Sequence, residues 1–194
     1  MRRFVALLVA LGTVLGLPMV ATATAAARPA AALSPAPAAL PAQAGTYRTV
    51  PQLRVLDSRS GIGGPAKALA PGEIRTVKVA GVSSLPATGL AAVAVNVGVL
   101  GPARSGSVTV FPGGTGWTGV GSVSFAAGVT VQSSLTAKLG ATGTLAFRNN
   151  TGTPLQLIAD VSGYYLAGTP AAAGAFGAVT LARVLDTRSG TGGP

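Results

Sequence analysis

Four acidic side chains and two arginine-rich motifs are the residues of this 194-residue chain with types suited to chemistry. The chain contains no histidine and no cysteine, which removes the usual nucleophilic triads and most transition-metal sites. The acids are Asp57, Glu73, Asp160 and Asp186. A glycosidase needs two carboxylates converging in a cleft, and a calcium site needs several. The spacing favours neither, and Glu73 is expected to face solvent, so we expect no catalytic residue, metal site or cofactor.

The motif RVLDSRSGIGGP occupies residues 54–65, and RVLDTRSGTGGP occupies residues 183–194. Ten of the twelve positions are identical. In the first copy two arginines flank the carboxylate of Asp57, a spacing that favours a charge-assisted, bidentate pairing with one of them. An aspartate that begins a turn also accepts a hydrogen bond from the backbone two residues ahead. The motif is therefore interpreted as the end of a strand followed by a salt-bridged turn, in which Gly61, Gly63 and Gly64 permit positive φ.

Asp160 interrupts an apolar segment, LIADVSGYYL, near the end of the predicted domain. A carboxylate inside an apolar strand must find a partner or lose its charge. We therefore expect Asp160 to lie within reach of Arg54 or Arg59. The four residues Arg54, Asp57, Arg59 and Asp160 form the predicted structural motif.

Three aromatic residues are candidate ligand contacts. Trp117, the only tryptophan, lies in the Gly/Thr-rich segment PGGTGWTGVGS, where it could stack on a sugar or a partner surface. The alternative is that Trp117 folds back and caps the domain. Tyr164 and Tyr165 alternate in direction along a predicted strand, so one should face the core and the other the surface.

Short β-branched segments separated by Gly/Pro/Ser/Thr turns begin at residue 47. This pattern predicts an all-β fold, a single jelly-roll-like β-sandwich of about eight strands. In residues 91–99, valines at every second position alternate with small or polar residues, so one face should lie in a core. The predicted strands are residues 47–56, 74–79, 91–99, 107–111, 120–125, 129–138, 144–148 and 155–165.

The two ends of the sequence predict that the protein is exported and that its domain is repeated. The chain begins with two basic residues, Arg2 and Arg3, which precede an apolar run and then small residues up to Ala27. This pattern is typical of a signal peptide over residues 1–27. An uncleaved membrane anchor is the alternative. An Ala/Pro-rich linker is predicted over residues 28–44, the sandwich over residues 45–166 and a second linker over residues 167–175. Residues 176–194 repeat the start of the domain at an offset of 129 residues and predict a truncated second copy. The alternative is that this segment exchanges strands with a neighbouring sheet.

The formal net charge of +10 is carried by scattered basic residues. An exported basic chain is attracted to anionic surfaces such as wall polymers, although the scatter of the basic residues favours ordinary solubilising charge. No Lys/Arg run points to nucleic acid, and no membrane contact is expected after signal cleavage. The partners that we expect are a cell-wall glycan or an anionic envelope polymer.

Three segments together resemble a repeat domain of secreted actinobacterial proteins. They are the opening motif, residues 92–114 (AVAVNVGVLGPARSGSVTVFPGG) and residues 159–165 (ADVSGYY). Within them Asn96 and the pair Phe111-Pro112 match the pattern of the repeat, whereas Gly98 stands where threonine is usual. The resemblance covers residues 47–165 and the fragment from residue 176. It implies a surface-display or wall-associated module with no assigned catalytic role.

Function is therefore expected to be that of a secreted, non-catalytic surface-display or interaction module of the bacterial cell envelope. The alternative is a carbohydrate- or wall-binding accessory domain of a secreted hydrolase system, with Trp117 and either Tyr164 or Tyr165 as its platform. An enzyme is the least favoured class. The LPATG at residues 85–89 matches a sortase signal, but it lies mid-chain before a strand pattern and is not interpreted as an anchor.

Overall fold

The computed structural model describes residues 43–179 and 182–193. The predicted signal peptide and residues 28–42 of the predicted linker lie outside the described residues. Within the described part the fold is all-β, and no residue there is helical. Accordingly, no helix in these residues is long and apolar enough to cross a membrane.

Eight strands form two four-stranded antiparallel sheets, which confirms the predicted β-sandwich. Residues 120–122 were expected to begin the fifth strand but precede it, although the Ser122 backbone N–H donates to the Val108 carbonyl at 2.8 Å. The strands are β1 (Tyr47–Asp57), β2 (Ile74–Lys78), β3 (Leu90–Leu100), β4 (Gly106–Pro112), β5 (Val123–Phe125), β6 (Val131–Lys138), β7 (Thr144–Asn149) and β8 (Gln156–Leu166).

The strand order is that of a jelly roll. The first sheet has the order β1-β8-β3-β6, and the second has the order β2-β7-β4-β5. Strands therefore pair first with eighth, second with seventh, third with sixth and fourth with fifth, as in a long hairpin rolled into two sheets. This arrangement puts the opening and closing strands of the domain side by side.

The core lies between the two sheets and is built from alternating positions. Val93, Val95, Val97 and Val99 of β3 all belong to it, which confirms the expected inward face of that strand. Leu85 of the LPATG segment is also a core residue, in keeping with its interpretation as part of the fold. Fully buried leucines and Phe147 come from both sheets, so neither sheet has a core without the other.

The edge position of β1 accommodates the proline within this strand. Pro51 lacks a backbone N–H and is tolerated in a sheet only at an edge or a bulge. The register of β1 against β8 shifts between Thr49 and Leu53, around this proline, and recovers to place Arg54 opposite Asp160. Thus the first arginine of the motif faces the acid of the last strand.

Candidate functional site

Arg54 and Asp160 form a two-pronged ion pair across β1 and β8. The Arg54 Nε–H donates to Asp160 Oδ1 at 2.9 Å, and Nη2 donates to Oδ2 at 3.0 Å. The Asp160 side chain is nearly buried, whereas 37% of the Arg54 side chain is exposed. Of the two arginines expected to reach Asp160, Arg54 is therefore the one that does. Asp160 in turn raises the pKa of Arg54, first through its side-chain hydrogen bond, so the guanidinium of Arg54 keeps its charge.

Asp57 gathers both arginines of the motif. Arg59 donates from Nε to Oδ1 at 3.0 Å and from Nη2 to Oδ2 at 2.7 Å, and its backbone N–H donates to Oδ1 at 3.0 Å. Arg54 Nη1 donates to Oδ2 at 3.2 Å. These bonds, first those from the Arg59 side chain, hold the pKa of Asp57 well below its usual range despite burial. Arg54 thus links two carboxylates into one cluster.

Ser58 fixes the motif loop to β8 through hydrogen bonds that the sequence did not reveal. The fully buried Ser58 hydroxyl donates to Gln156 Oε1 and accepts the Leu157 backbone N–H at 2.9 Å. The Ser58 backbone N–H donates to the Leu157 carbonyl at 3.0 Å. The loop is therefore held on β8 by hydroxyl, backbone and ion-pair contacts together.

Two of the three motif glycines occupy positions whose backbone conformation favours glycine. Gly61 has a φ of 83° and Gly63 a φ of 73°, in the left-handed region that side chains disfavour. A Cβ on Gly63 would also collide with the Val55 carbonyl oxygen. Gly64 was expected to share this conformation but is not among the positive-φ residues. It leaves room for the Arg75 side chain, whose Cδ would lie 3.2 Å from an added Cβ.

The second copy of the motif, residues 183–193, folds its loop in the same way. Asp186 accepts the Arg188 backbone N–H at 3.0 Å and the Arg188 Nε and Nη2 donors at 3.0 and 2.9 Å. Arg183 also contacts the Asp186 carboxylate. An isolated bridge joins Asp186 to Thr191, as another joins Asp57 to Ile62. The loop geometry is therefore local and does not depend on β8.

Glu73 is half-buried rather than solvent-facing, which corrects the expectation for this acid. Its Oε2 accepts the Ala70 backbone N–H at 2.7 Å, and its Oε1 accepts Arg75 Nη2 at 2.7 Å. Arg75 itself is 6% exposed and donates from Nη1 to the Lys67 carbonyl at 2.9 Å. Glu73 serves as the counter-ion of a buried arginine, a role that periodicity in the sequence could not show.

Asn149 organises the loops at the end of β7 and was not among the residues singled out from the sequence. This fully buried amide donates from Nδ2 to the carbonyls of Leu69 at 3.1 Å, Ala70 at 3.2 Å and Thr153 at 2.8 Å. Its Oδ1 accepts the backbone N–H of Thr151 at 2.9 Å and the Thr151 hydroxyl at 2.7 Å. The NN dipeptide in a turn was the only available signal.

Trp117 folds back onto the outer face of the second sheet. Its indole N–H donates to the Thr109 hydroxyl at 3.2 Å, and the Arg148 guanidinium lies 3.7 Å from the ring centroid. Thr109 and Arg148 are register partners on β4 and β7, and Arg148 Nη1 also donates to Asn150 Oδ1 at 2.6 Å. Trp117 remains 45% exposed, so it both covers the sheet and presents a surface.

Tyr164 and Tyr165 lie apart from Trp117 and do not form a platform with it. Tyr164 packs partly buried against the core. The Tyr165 ring lies 5.0 Å from that of Tyr47 and 4.2 Å from that of Phe176, measured between centroids. These contacts belong to the first sheet, whereas Trp117 rests on the second. The structure therefore does not bring the two tyrosines together with Trp117, and each remains a separate candidate contact.

Every carboxylate side chain in the chain is bound by arginine. Asp57, Asp160, Glu73 and Asp186 all take part in ion pairs. Within the described residues these pairs use five arginines and leave a set of basic side chains outside any salt bridge: Arg48, Lys67, Lys78, Arg104, Lys138 and Arg148. The charge left uncompensated on the sandwich is therefore positive.

No family model matches the chain, and no curated protein or solved structure shows significant similarity to it.

Proposed function

We propose that this chain is a secreted, non-catalytic interaction module of the bacterial cell envelope that is retained by anionic envelope polymers. The observation that carries the proposal is the internal pairing of all four carboxylates. Because all four acids are paired with arginines within the fold, the charged side chains outside these pairs present positive charge to a polyanion. A charged surface attracts such a partner over distances set by the ionic strength.

The Arg54–Asp57–Arg59–Asp160 cluster supports this function by holding the fold rather than by binding a ligand. Arg54 uses Nε, Nη1 and Nη2 on two carboxylates, and Arg59 uses Nε and Nη2 on one. Bidentate arginine–carboxylate pairs are rigid and directional. A module exported without cysteine has no disulfide to join its ends, and this cluster joins them non-covalently.

The test is sedimentation of the purified chain with cell-wall sacculi that either keep or lack their anionic polymers. We expect binding to the anionic sacculi that falls strongly as NaCl rises from about 0.05 to about 0.5 M, because the screening length shrinks several-fold. The double variant Lys78→Glu/Lys138→Glu should bind more weakly, and the matched variant Lys78→Arg/Lys138→Arg should bind like the wild type. Salt-insensitive binding, or equal binding to stripped sacculi, would contradict electrostatic retention.

A second candidate function, carbohydrate binding, rests on the exposed indole of Trp117. Aromatic rings stack on sugars, and a neighbouring guanidinium such as that of Arg148 would favour an acidic sugar. If this function holds, Trp117→Ala should abolish binding to sacculi stripped of anionic polymers, and Trp117→Phe should keep part of it. Binding that is indifferent to Trp117 would leave electrostatic retention as the sole explanation.

A further inference from the structure

The C-terminal segment, residues 176–193, contains a second version of β1 and its loop. Residues 183–193 form the same turn as residues 54–64, with Gly190 at a φ of 71° and Gly192 at 78°, close to the values of Gly61 and Gly63. A Cβ on Gly192 would collide with the Val184 carbonyl oxygen, as one on Gly63 would with that of Val55. The loop of the second copy is therefore already shaped as the loop after β1 is shaped in the sandwich.

What this segment lacks is a partner strand. Val184 and Leu185 are 82% and 62% exposed, whereas their counterparts Val55 and Leu56 are 2% and 0% exposed. Within the described residues, Arg183 pairs with Asp186 alone, whereas Arg54 also holds Asp160. The missing partner is an antiparallel strand with a carboxylate opposite the arginine and small apolar residues beside it. In this molecule β8 has these properties.

We infer that residues 176–186 can replace β1 on β8 of the same chain, so that the two segments compete for one site. Phe176 already lies beside Tyr165, with ring centroids 4.2 Å apart, and Tyr165 is the register partner of Tyr47. Extending this register by the offset of 129 residues puts Arg183 opposite Asp160 and Leu185 opposite Ala159. Residues 167–175 are long enough to close the hairpin between β8 and the incoming strand.

In the wild-type chain β1 occupies the edge of β8, because its side chains pack against the core better than those of residues 176–186. Leu53, which packs against the core, corresponds to Ala182, and Tyr47 corresponds to Phe176. The shorter side chain at residue 182 leaves part of the core contact unmade. The exchanged arrangement is consequently the minor one, and it becomes the major one when β1 is weakened.

The experiment weakens each version in the full chain and maps trypsin cleavage by mass spectrometry. Both versions carry two arginines, Arg54 and Arg59 in one and Arg183 and Arg188 in the other, so cleavage reports which segment is docked. The wild type and the control Leu185→Asp should be cut after Arg183 and Arg188. In Leu56→Asp the chain should stay folded, and cleavage should move to Arg54 and Arg59. The double variant Leu56→Asp/Leu185→Asp should lose the folded state.

The pairing predicted for Arg183 gives a second readout. Arg183→Glu should leave the urea midpoint of the wild type unchanged but lower that of Leu56→Asp, because only in the latter would Arg183 face Asp160. Equal loss of structure in Leu56→Asp and the double variant, or an unchanged cleavage map, would overturn the inference. A concentration-dependent dimer of Leu56→Asp would overturn it as well, since the incoming strand would then come from a second copy.

Discussion

Arg54 is the one side chain that contacts both carboxylates of the cluster. It bonds Asp160 on β8 with two nitrogens and Asp57, three residues ahead on its own strand, with the third. Asp57 has a second donor in Arg59, whereas Asp160 has no other arginine within salt-bridge distance in the described residues. The two arginines of the motif are therefore unequal, although their spacing around Asp57 gave no sign of this.

Arg54→Ala should lower the free energy of unfolding by about 3 kcal/mol, because it leaves the nearly buried Asp160 carboxylate without its counter-ion. Arg59→Ala should cost much less, since Arg59 is more exposed and Asp57 keeps Arg54. Urea denaturation followed by circular dichroism measures both. Equal losses in the two variants would show that Asp160 does not depend on Arg54.

Asp57 should make stability depend on pH on the acid side. Its pKa is lower in the folded chain than the ordinary value of 3.8, so its contribution is complete above that value and is lost as the pH falls below it. The difference in unfolding free energy between wild type and Asp57→Asn should therefore be largest at neutral pH and shrink from pH 4 towards pH 2. Urea titrations across this range measure the difference.

Asp186→Asn is the matched control for that measurement. Asp186 also has a pKa held below its usual range, first by side-chain hydrogen bonds from Arg188. In the part of the chain that the structure describes, however, its loop pairs with none of the eight strands. Its replacement should leave the urea midpoint unchanged at every pH, and a pH-dependent change would show that the second loop also contributes to the acid-side stability.

At the scale of elements, the motif loop is a unit whose backbone folds locally and whose stabilising effect arises only on β8. The same turn forms at residues 57–62 and 186–191, but only the first copy also engages Ser58, Gln156 and Asp160. The same substitution can therefore be made in the loop that contacts β8 and in the loop that does not, and its effects on stability can be compared.

Gly63→Ala should destabilise the sandwich by about 2 kcal/mol, from left-handed strain and from the collision with the Val55 carbonyl. Gly192→Ala introduces the same strain in the second copy. It should leave the urea midpoint of the sandwich unchanged, because nothing in the core depends on that loop. A comparable loss from both substitutions would mean that the second copy contributes to the folded domain.

Asn149→Ala should lower the free energy of unfolding by about 3 kcal/mol, because it removes five hydrogen bonds that join two loops and leaves the buried Thr151 N–H without its acceptor. Asn150→Ala is the neighbouring control. Asn150 is only half-buried and bonds the hydroxyls of Ser107 and Thr109, so we expect a loss of about 1 kcal/mol. Urea denaturation distinguishes the two, and a reversed order would contradict the role given to Asn149.

The strands were predictable because period-two alternation is a local signal. The turns between strands indicated the number of strands, and the alternating valines of β3 indicated the face that this strand buries. The pairing of Asp160 with a motif arginine was also predictable from the sequence, since a buried carboxylate requires a positively charged partner and the motif offered two arginines. The partners of Asn149, the burial of Glu73 and the Arg148 contact of Trp117 join residues distant in sequence. Periodicity carries no information about such contacts.

At the scale of the whole sandwich, one core is shared by both sheets, and this predicts a single unfolding transition. Trp117 reports on the second sheet through Thr109 and Arg148, whereas far-UV circular dichroism reports on all strands. The two signals should give the same urea midpoint, as in cooperative two-state unfolding. An earlier midpoint for Trp117 fluorescence would show that the loop around it detaches before the sheets separate.

The adjacency of the domain's two ends has a mechanical consequence. The Gly45 N–H donates to the Leu166 carbonyl at 2.8 Å, and the Leu166 N–H donates to the Thr46 carbonyl at 3.0 Å, so the chain enters and leaves the domain at one point. A pulling force on these ends loads the antiparallel β1–β8 ladder one rung at a time, as in opening a zipper, instead of shearing all rungs together. The first strong obstacle along that path is the Arg54–Asp160 pair, which would set the force at which the domain begins to extend.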